Sequence, residues 1–129
     1  VIIIISLPFF ADYAKSQNLK NSAKQFIGNL KQVQQYAVTT QTKHSLTAQV
    51  SIGNYNLVKK GTPDKILETR ALQNQVIFSS TAGLTNSEVI FNAAGGVNES
   101  GEIIITHRQT GQQIEISVHP SGYVTWEEL

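Results

Sequence analysis

The chain has 129 residues, is 40% hydrophobic and 15% charged, carries a formal net charge of +1, and contains no cysteine. That length allows one core of modest size, and the near-neutral balance gives no strong pull toward nucleic acid or acidic membranes. Without cysteine there is no disulfide staple, and the redox compartment cannot be read.

The chain opens on VIIIISLPFF, with no charge before Asp12. A membrane-spanning helix needs about 20 apolar residues, so this is half a span. A signal peptide would show a basic start and a small-residue cleavage site, and neither occurs. The expectation is an apolar helix whose beginning precedes Val1. A buried β-strand is the competing reading, since β-branched residues favour strands, but it would have to run directly into a polar helix. Pro8 removes the backbone bond to the carbonyl of Ile4 and disfavours helical geometry at Leu7, which predicts a kink or a melted stretch around Ile4–Pro8.

From Leu19 to Ala37, apolar residues recur at Leu19, Ala23, Phe26, Ile27, Leu30, Val33 and Ala37, which is helical spacing. Lys20, Lys24 and Lys31 group on one flank of that helix. A helix reaching about Thr39 would be roughly 55–60 Å long at 1.5 Å per residue. A small sheet cannot cover that length, so the N-terminal half should project beyond the globule.

The middle of the chain reads as short strands. Leu46, Ala48, Val50 and Ile52 alternate with polar residues, and Gly53-Asn54 suggests a hairpin turn into Tyr55 and Leu57. Gly61 to Asp64 reads as a loop. Ile66–Arg70 and Gln75–Phe78 read as strands, and Ala82–Asn86 as a turn into Glu88–Phe91. About seven strands in one or two sheets are expected.

The last third alternates most clearly. A two-residue turn at Thr110-Gly111 would set Ile105 opposite Ile116, Ile103 opposite Val118 and His107 opposite Ile114. Thr106 and Arg108 would then meet Glu115 and Gln113 on the wet face. A one-residue slip would place isoleucines opposite charges. A three-residue loop, Pro120-Ser121-Gly122, would set Val118 opposite Val124 and Ile116 opposite Trp126. Helix first and strands afterwards, with no βαβ unit, gives a segregated α+β fold. Residues 1–40 form a long helix, kinked near Pro8, on an antiparallel β-rich head (41–129) that ends in a three-stranded meander. The helix–sheet packing set is Leu19, Phe26, Ile27, Leu30, Val33, Ile103, Ile105, Ile116, Val118 and Trp126.

Charge is uneven along this plan: +3 over 1–40, +3 over 43–87 and −5 over 88–129. A basic stem under an acidic head suits subunit stacking. Lys20, Lys24, Lys31, Lys43, Lys59 and Lys60 could meet a phosphate backbone; a solvated flank, or one paired with glutamates of a neighbouring head, is the favoured reading. Trp126 and Tyr123 could serve as stacking platforms, but the expected register turns Trp126 inward.

Nothing points to catalysis. His107 and His119 lie at opposite ends of one ladder and cannot share an ion, and neither HExxH nor a cysteine pair occurs. There is no G-x-S-x-G elbow; His119-Pro120-Ser121-Gly122 is a turn. Glu127 and Glu128 are adjacent in a strand and point to opposite faces, so they form no acid–base pair. Gly95-Gly96 leads into a strand, which does not cradle phosphate. No cofactor or metal site is expected.

The apolar run ending in Leu7-Pro8, the aromatics Phe9 and Phe10, and the long amphipathic helix resemble the N-terminal half of type IV pilins and pseudopilins. The C-terminal stretch, with Phe91-Asn92, Gly95-Gly96, Thr110-Gly111 and Pro120-Ser121-Gly122, resembles the GspH/FimT group of minor pseudopilins. The resemblance implies a structural subunit of a type IV pilus-like or type II secretion pseudopilus filament. Its partners would be copies of itself or related pilins, a prepilin peptidase that cleaves and methylates the N-terminus, and assembly machinery. It would be anchored in the inner membrane before assembly and sit in a cell-surface filament afterwards. The filament-core helix would be Val1, Ile2, Ile3, Ile4, Ile5, Leu7, Pro8, Phe9 and Phe10, since a segment apolar all round is unstable in water and satisfied in a bilayer or a bundle. The alternative is a minor pilin that receives DNA at a filament tip. Some DNA-binding relatives carry Arg after the closing Gly, where this chain has Tyr123 to Glu128, an acidic end.

Overall fold

The computed structural model describes the backbone of residues 2–129 and the side chains of residues 13–129. One helix, α1 (Ile2–Thr40), is followed by eight strands: β1 (His44–Ala48), β2 (Asn54–Lys59), β3 (Lys65–Ala71), β4 (Val76–Ala82), β5 (Glu88–Phe91), β6 (Gly101–His107), β7 (Gln113–Val118) and β8 (Val124–Glu128). They form two antiparallel four-stranded sheets, ordered β3-β2-β1-β5 (sheet A) and β4-β6-β7-β8 (sheet B).

The helix runs through Ile4–Pro8 as one unbroken element. The melted stretch expected there is therefore absent. A proline costs a helix one hydrogen bond and some crowding, and helical geometry here continues on both sides of it. The far end stops sharply. Gln41 turns left-handed at φ 54°, and the Thr42 N–H reaches back to the Ala37 carbonyl at 3.2 Å, which satisfies an orphan carbonyl of the last turn.

Both sheets lean on the same stripe of α1. Leu19, Ala23, Phe26, Leu30, Val33 and Ala37 are all buried. Phe26 is the hub, its ring 5.1 Å edge-to-face from Tyr55 in sheet A and 5.1 Å from Phe78 in sheet B. Those contacts make one core out of two sheets, with large apolar areas removed from water on each side of the helix. The loop between β1 and β2 also bridges the sheets: Ser51 N–H donates to the Phe78 carbonyl (2.9 Å), and Phe78 N–H donates to the Ile52 carbonyl (3.0 Å).

Sheet B keeps the expected faces but not the expected register between β6 and β7. Ile103 faces Ile116, Ile105 faces Ile114, Thr106 faces Gln113, and Gly101, not Ile103, faces Val118. The connection is a four-residue loop, Arg108 to Gly111. It is closed by His107 N–H to Gln112 O (3.0 Å) and Gly111 N–H to His107 O (2.8 Å), with Gly111 left-handed at φ 73°. A two-residue shift leaves every side chain on its own face, so alternation could not exclude it; only the loop geometry could. The second turn is as expected, with Val118 opposite Val124 and Ile116 opposite Trp126.

The first hairpin also differs. β1 ends at Ala48, which faces Tyr55. Val50 and Ile52 lie in the connecting loop, 43% and 42% exposed, because the main chain there turns away to pair with β4.

Candidate functional site

What this fold offers is a set of surfaces. Of the expected packing residues, Leu19, Phe26, Ile27, Leu30, Val33, Ile103, Ile105, Ile116 and Val118 are buried at the helix–sheet contact. Trp126 is not. It sits on the helix side of β8, but β8 is the outermost strand of sheet B, and α1 covers too little of it, leaving Trp126 41% exposed. The proposed filament-core set lies outside the described side chains, and Val1 lies outside the described residues altogether. Tyr13 is 64% exposed, and Leu19 is the first buried residue of the described helix. Cover by the head therefore fades along α1 toward Tyr13.

The sheet A side of α1 carries a polar ladder. Tyr55 is fully buried and donates its hydroxyl to Asn29 Oδ1, while Gln25 Nε2 donates to the Tyr55 oxygen at 3.2 Å. Asn29 Nδ2 donates to Gln32 Oε1 (3.1 Å), and Gln32 Nε2 donates to the Tyr36 hydroxyl (2.8 Å). Burial pushes the Tyr55 phenol up from its ordinary pKa, with the Gln25 hydrogen bond and Arg70 opposing. Nearby, the fully buried Ser22 Oγ accepts the Gln73 N–H at 3.0 Å. Sequence periodicity missed Ser22 and Asn29. Their only signal was position, seven apart on the edge of the apolar stripe.

The lysines do not form one basic track. Lys20 pairs with Glu128 at 3.3 Å. Lys60 is held by Asp64 (2.9 Å) and Glu88 (3.0 Å), which raise its pKa. Glu88 also accepts the Ser45 hydroxyl at 2.7 Å. Hydrogen bonds from the Gly61 N–H and Lys60 lower the Asp64 carboxyl. Lys24 and Lys31 remain exposed on the helix.

The histidines stand apart, as their strand positions require. His107 is buried, and its Nδ1 accepts the Gln109 N–H at 3.2 Å; burial, with a smaller push from Lys15, lowers its pKa. His119 is exposed, stacks on Tyr123 at 5.7 Å and contacts Thr125 Oγ1 at 3.0 Å. His44 is buried, its Nδ1 2.8 Å from the Thr42 carbonyl. Among the described residues no group of three His, Cys, Asp or Glu could hold a metal ion, and no helix is long and apolar enough to cross a membrane.

The Gly-rich loops close the head against α1. Gln34 Nε2 donates to the Gly95 carbonyl at 2.8 Å. Gly122 is left-handed at φ 88°, and any Cβ there would strike that same carbonyl. Val97 N–H donates to the Pro120 carbonyl at 3.1 Å. A long helix carrying a two-sheet antiparallel head, closed by these two glycine loops, is a pilin-type architecture.

The family is shown by sequence as well. Residues 22–122, well over half of the chain, match the family described as Type II transport protein GspH, and the chain belongs to that family of structural, non-catalytic subunits. Two solved structures share the fold. The minor pseudopilin EpsH of the type 2 secretion system of Vibrio cholerae has a TM-score of 0.71 at 12% identity, over 86% of this chain and 97% of that one. The type IV minor pilin FimU of Pseudomonas aeruginosa has a TM-score of 0.71 at 14% identity, over 89% and 92% respectively. No curated protein matches.

Proposed function

We propose that the chain is a subunit of a type II secretion pseudopilus or type IV pilus-like filament. The N-terminal part of α1 packs among the helices of neighbouring subunits, and the β head faces outward. The observation that carries this is the division of α1. Its second half completes the core of a head that belongs to the GspH family, while burial fades toward Tyr13 and the apolar residues before it continue the same helix. That segment, Val1 to Phe10, is satisfied in a bilayer before assembly and in a helical bundle afterwards. Contacts between unlike faces of successive subunits give an open-ended stack. By family, its partners are related pilins, a prepilin peptidase and assembly machinery. Its place is the inner membrane first and a cell-surface filament later.

The test uses the absence of cysteine. Ser6→Cys in the full chain should form stem-to-stem disulfides in isolated membranes or filaments and none after detergent dispersal to monomers. A chain that stays uncrosslinked and is absent from sheared filament fractions would refute the proposal.

A further inference from the structure

Four sheet edges exist in the head, and two are covered from within. The β4 edge is bonded by the loop at Ser51–Ile52, and the β5 edge by Asn98, whose N–H reaches the Ile90 carbonyl at 3.2 Å. The other two, β8 and β3, have no neighbouring strand among the described residues.

The β8 edge is an open template. His119 N–H to Tyr123 O (2.8 Å) and Leu129 N–H to Gln113 O (3.0 Å) fix which main-chain groups face β7. Alternation in an antiparallel ladder then turns the N–H and C=O groups of Val124, Trp126 and Glu128 outward. The surface around them is unusually aromatic for a solvated edge, with Trp126 41% and Tyr123 66% exposed. Such a strand attracts another unless charge or cover prevents it.

The β3 edge supplies the complement. Leu72 N–H to Gly53 O (2.8 Å) sets Arg70 and Glu68 toward β2, so Thr69 presents its main chain outward, while the Ala71 carbonyl is taken by Gln25 Nε2 at 3.2 Å. Ile66 and Leu67, at a bulge, are 58% and 38% exposed. An antiparallel alignment of β3 along β8 brings Lys65 to the acidic end at Glu127–Glu128 and Leu67 beside Trp126. A parallel alignment would bring Ala71 to the acidic end instead.

We propose that strand β8 of one subunit pairs antiparallel with strand β3 of a second copy of this chain, extending sheet B across the subunit boundary. This deepens, and rests on, the filament reading. Because the two edges differ, the contact is heterologous and can repeat without closing, whereas β8-to-β8 pairing would end growth at a dimer. Main-chain bonds provide the attraction, and the Leu67–Trp126 contact and the Lys65–glutamate match set the register.

In that register Thr125 lies opposite Glu68 in a non-hydrogen-bonded pair, where side chains approach to within about 5 Å and a disulfide fits. The full chain carrying both Thr125→Cys and Glu68→Cys should give a ladder of disulfide-linked multimers in membranes or filaments, and each single variant none. Dimers from Thr125→Cys alone would show β8 meeting β8 and overturn the proposal. A disulfide to a different protein would overturn the choice of a second copy. Absence of the ladder while Ser6→Cys still crosslinks would sink the edge pairing and leave the filament reading standing. If Ser6→Cys also fails, both fall.

Discussion

The two sheets lean on one helix, yet they are built differently. Sheet B has three strands consecutive in sequence, joined by two short loops, with isoleucine alternation that marks the core face. Sheet A is closed by β5, which returns over a long stretch of chain to pair with β1, Leu46 facing Val89. Its outermost strand, β3, touches no core at all and is exposed along nearly its whole length. Short-range pairing leaves its pattern in adjacent residues, while long-range pairing depends on contacts that only the assembled core supplies. Phe26 is where the two kinds of sheet become one unit.

The sharpest test of that unity is Phe26→Ala. It removes the ring that touches both Tyr55 and Phe78, and burial loss plus the cavity should cost about 3–5 kcal/mol. Urea unfolding should keep a single transition, shifted far down, if the helix joins the sheets into one cooperative unit. Separate transitions reported by Trp126 fluorescence and by far-UV circular dichroism would show two independent sheets. Ile66→Ala on the bare β3 edge should leave the isolated chain within about 0.5 kcal/mol of the parent.

Next in size is Tyr55→Phe. It keeps the ring between Phe26 and Phe78 but deletes the hydroxyl that satisfies Asn29, whose side chain is nearly buried. An unsatisfied buried acceptor should cost about 1–3 kcal/mol, and Asn29→Leu combined with Tyr55→Phe should recover part of it. An additive loss in that double variant would contradict the ladder as a coupled unit.

What could be read beforehand follows the same division. The helical stripe, the faces of β6 and β7 and the Pro120 turn all lay in local spacing. The β6–β7 register did not, because a shift of two preserves the pattern and the choice rested on how His107 and Gly111 close the loop. Val50 and Ile52 continued an alternating pattern but left the strand, since pairing with Phe78 competes with the hairpin. Trp126 sat on the correct face, yet how far α1 reaches across sheet B is a tertiary property. The polar ladder was hidden for a related reason: Asn29 needed Tyr55 from another element. The basic flank of the helix and the acidic end of the chain were legible as charge, but which lysines are already engaged within the head was not.

A smaller contrast lies between two glycines. Gly28 is on the exposed side of α1 with open space where a Cβ would go, so Gly28→Ala should stabilise by about 1 kcal/mol through helix propensity alone. Gly122→Ala should do the opposite, by more than about 1 kcal/mol, because its φ is positive and the Gly95 carbonyl blocks the site. The pair is read from thermal or urea midpoints, and a stabilised Gly122→Ala would break the account of how the glycine loops close the head.

The smallest effects separate the sheets by pH. Burial holds the pKa of His107, at the end of β6, below the ordinary histidine value of 6.5. The folded state thus binds the proton less readily than the unfolded chain. Its contribution is complete above 6.5 and is lost as pH falls below that value through the folded pKa. Lys60, which links β2 to Asp64 and to β5 through Glu88, is shifted the other way, above 10.5. Its contribution is complete below 10.5 and is lost as pH rises through the raised folded value. His107→Gln should therefore flatten the stability profile below pH 6.5 and leave the alkaline limb untouched, while Lys60→Met should flatten the alkaline limb and, by removing one of the hydrogen bonds that hold Asp64 low, weaken the acid limb only in part. If His107→Gln changed nothing on the acid side, the imidazole would have to take up its proton without leaving its buried place against α1. The acid loss would then belong to the carboxylates Asp64 and Glu99, whose pKa values hydrogen bonds hold low.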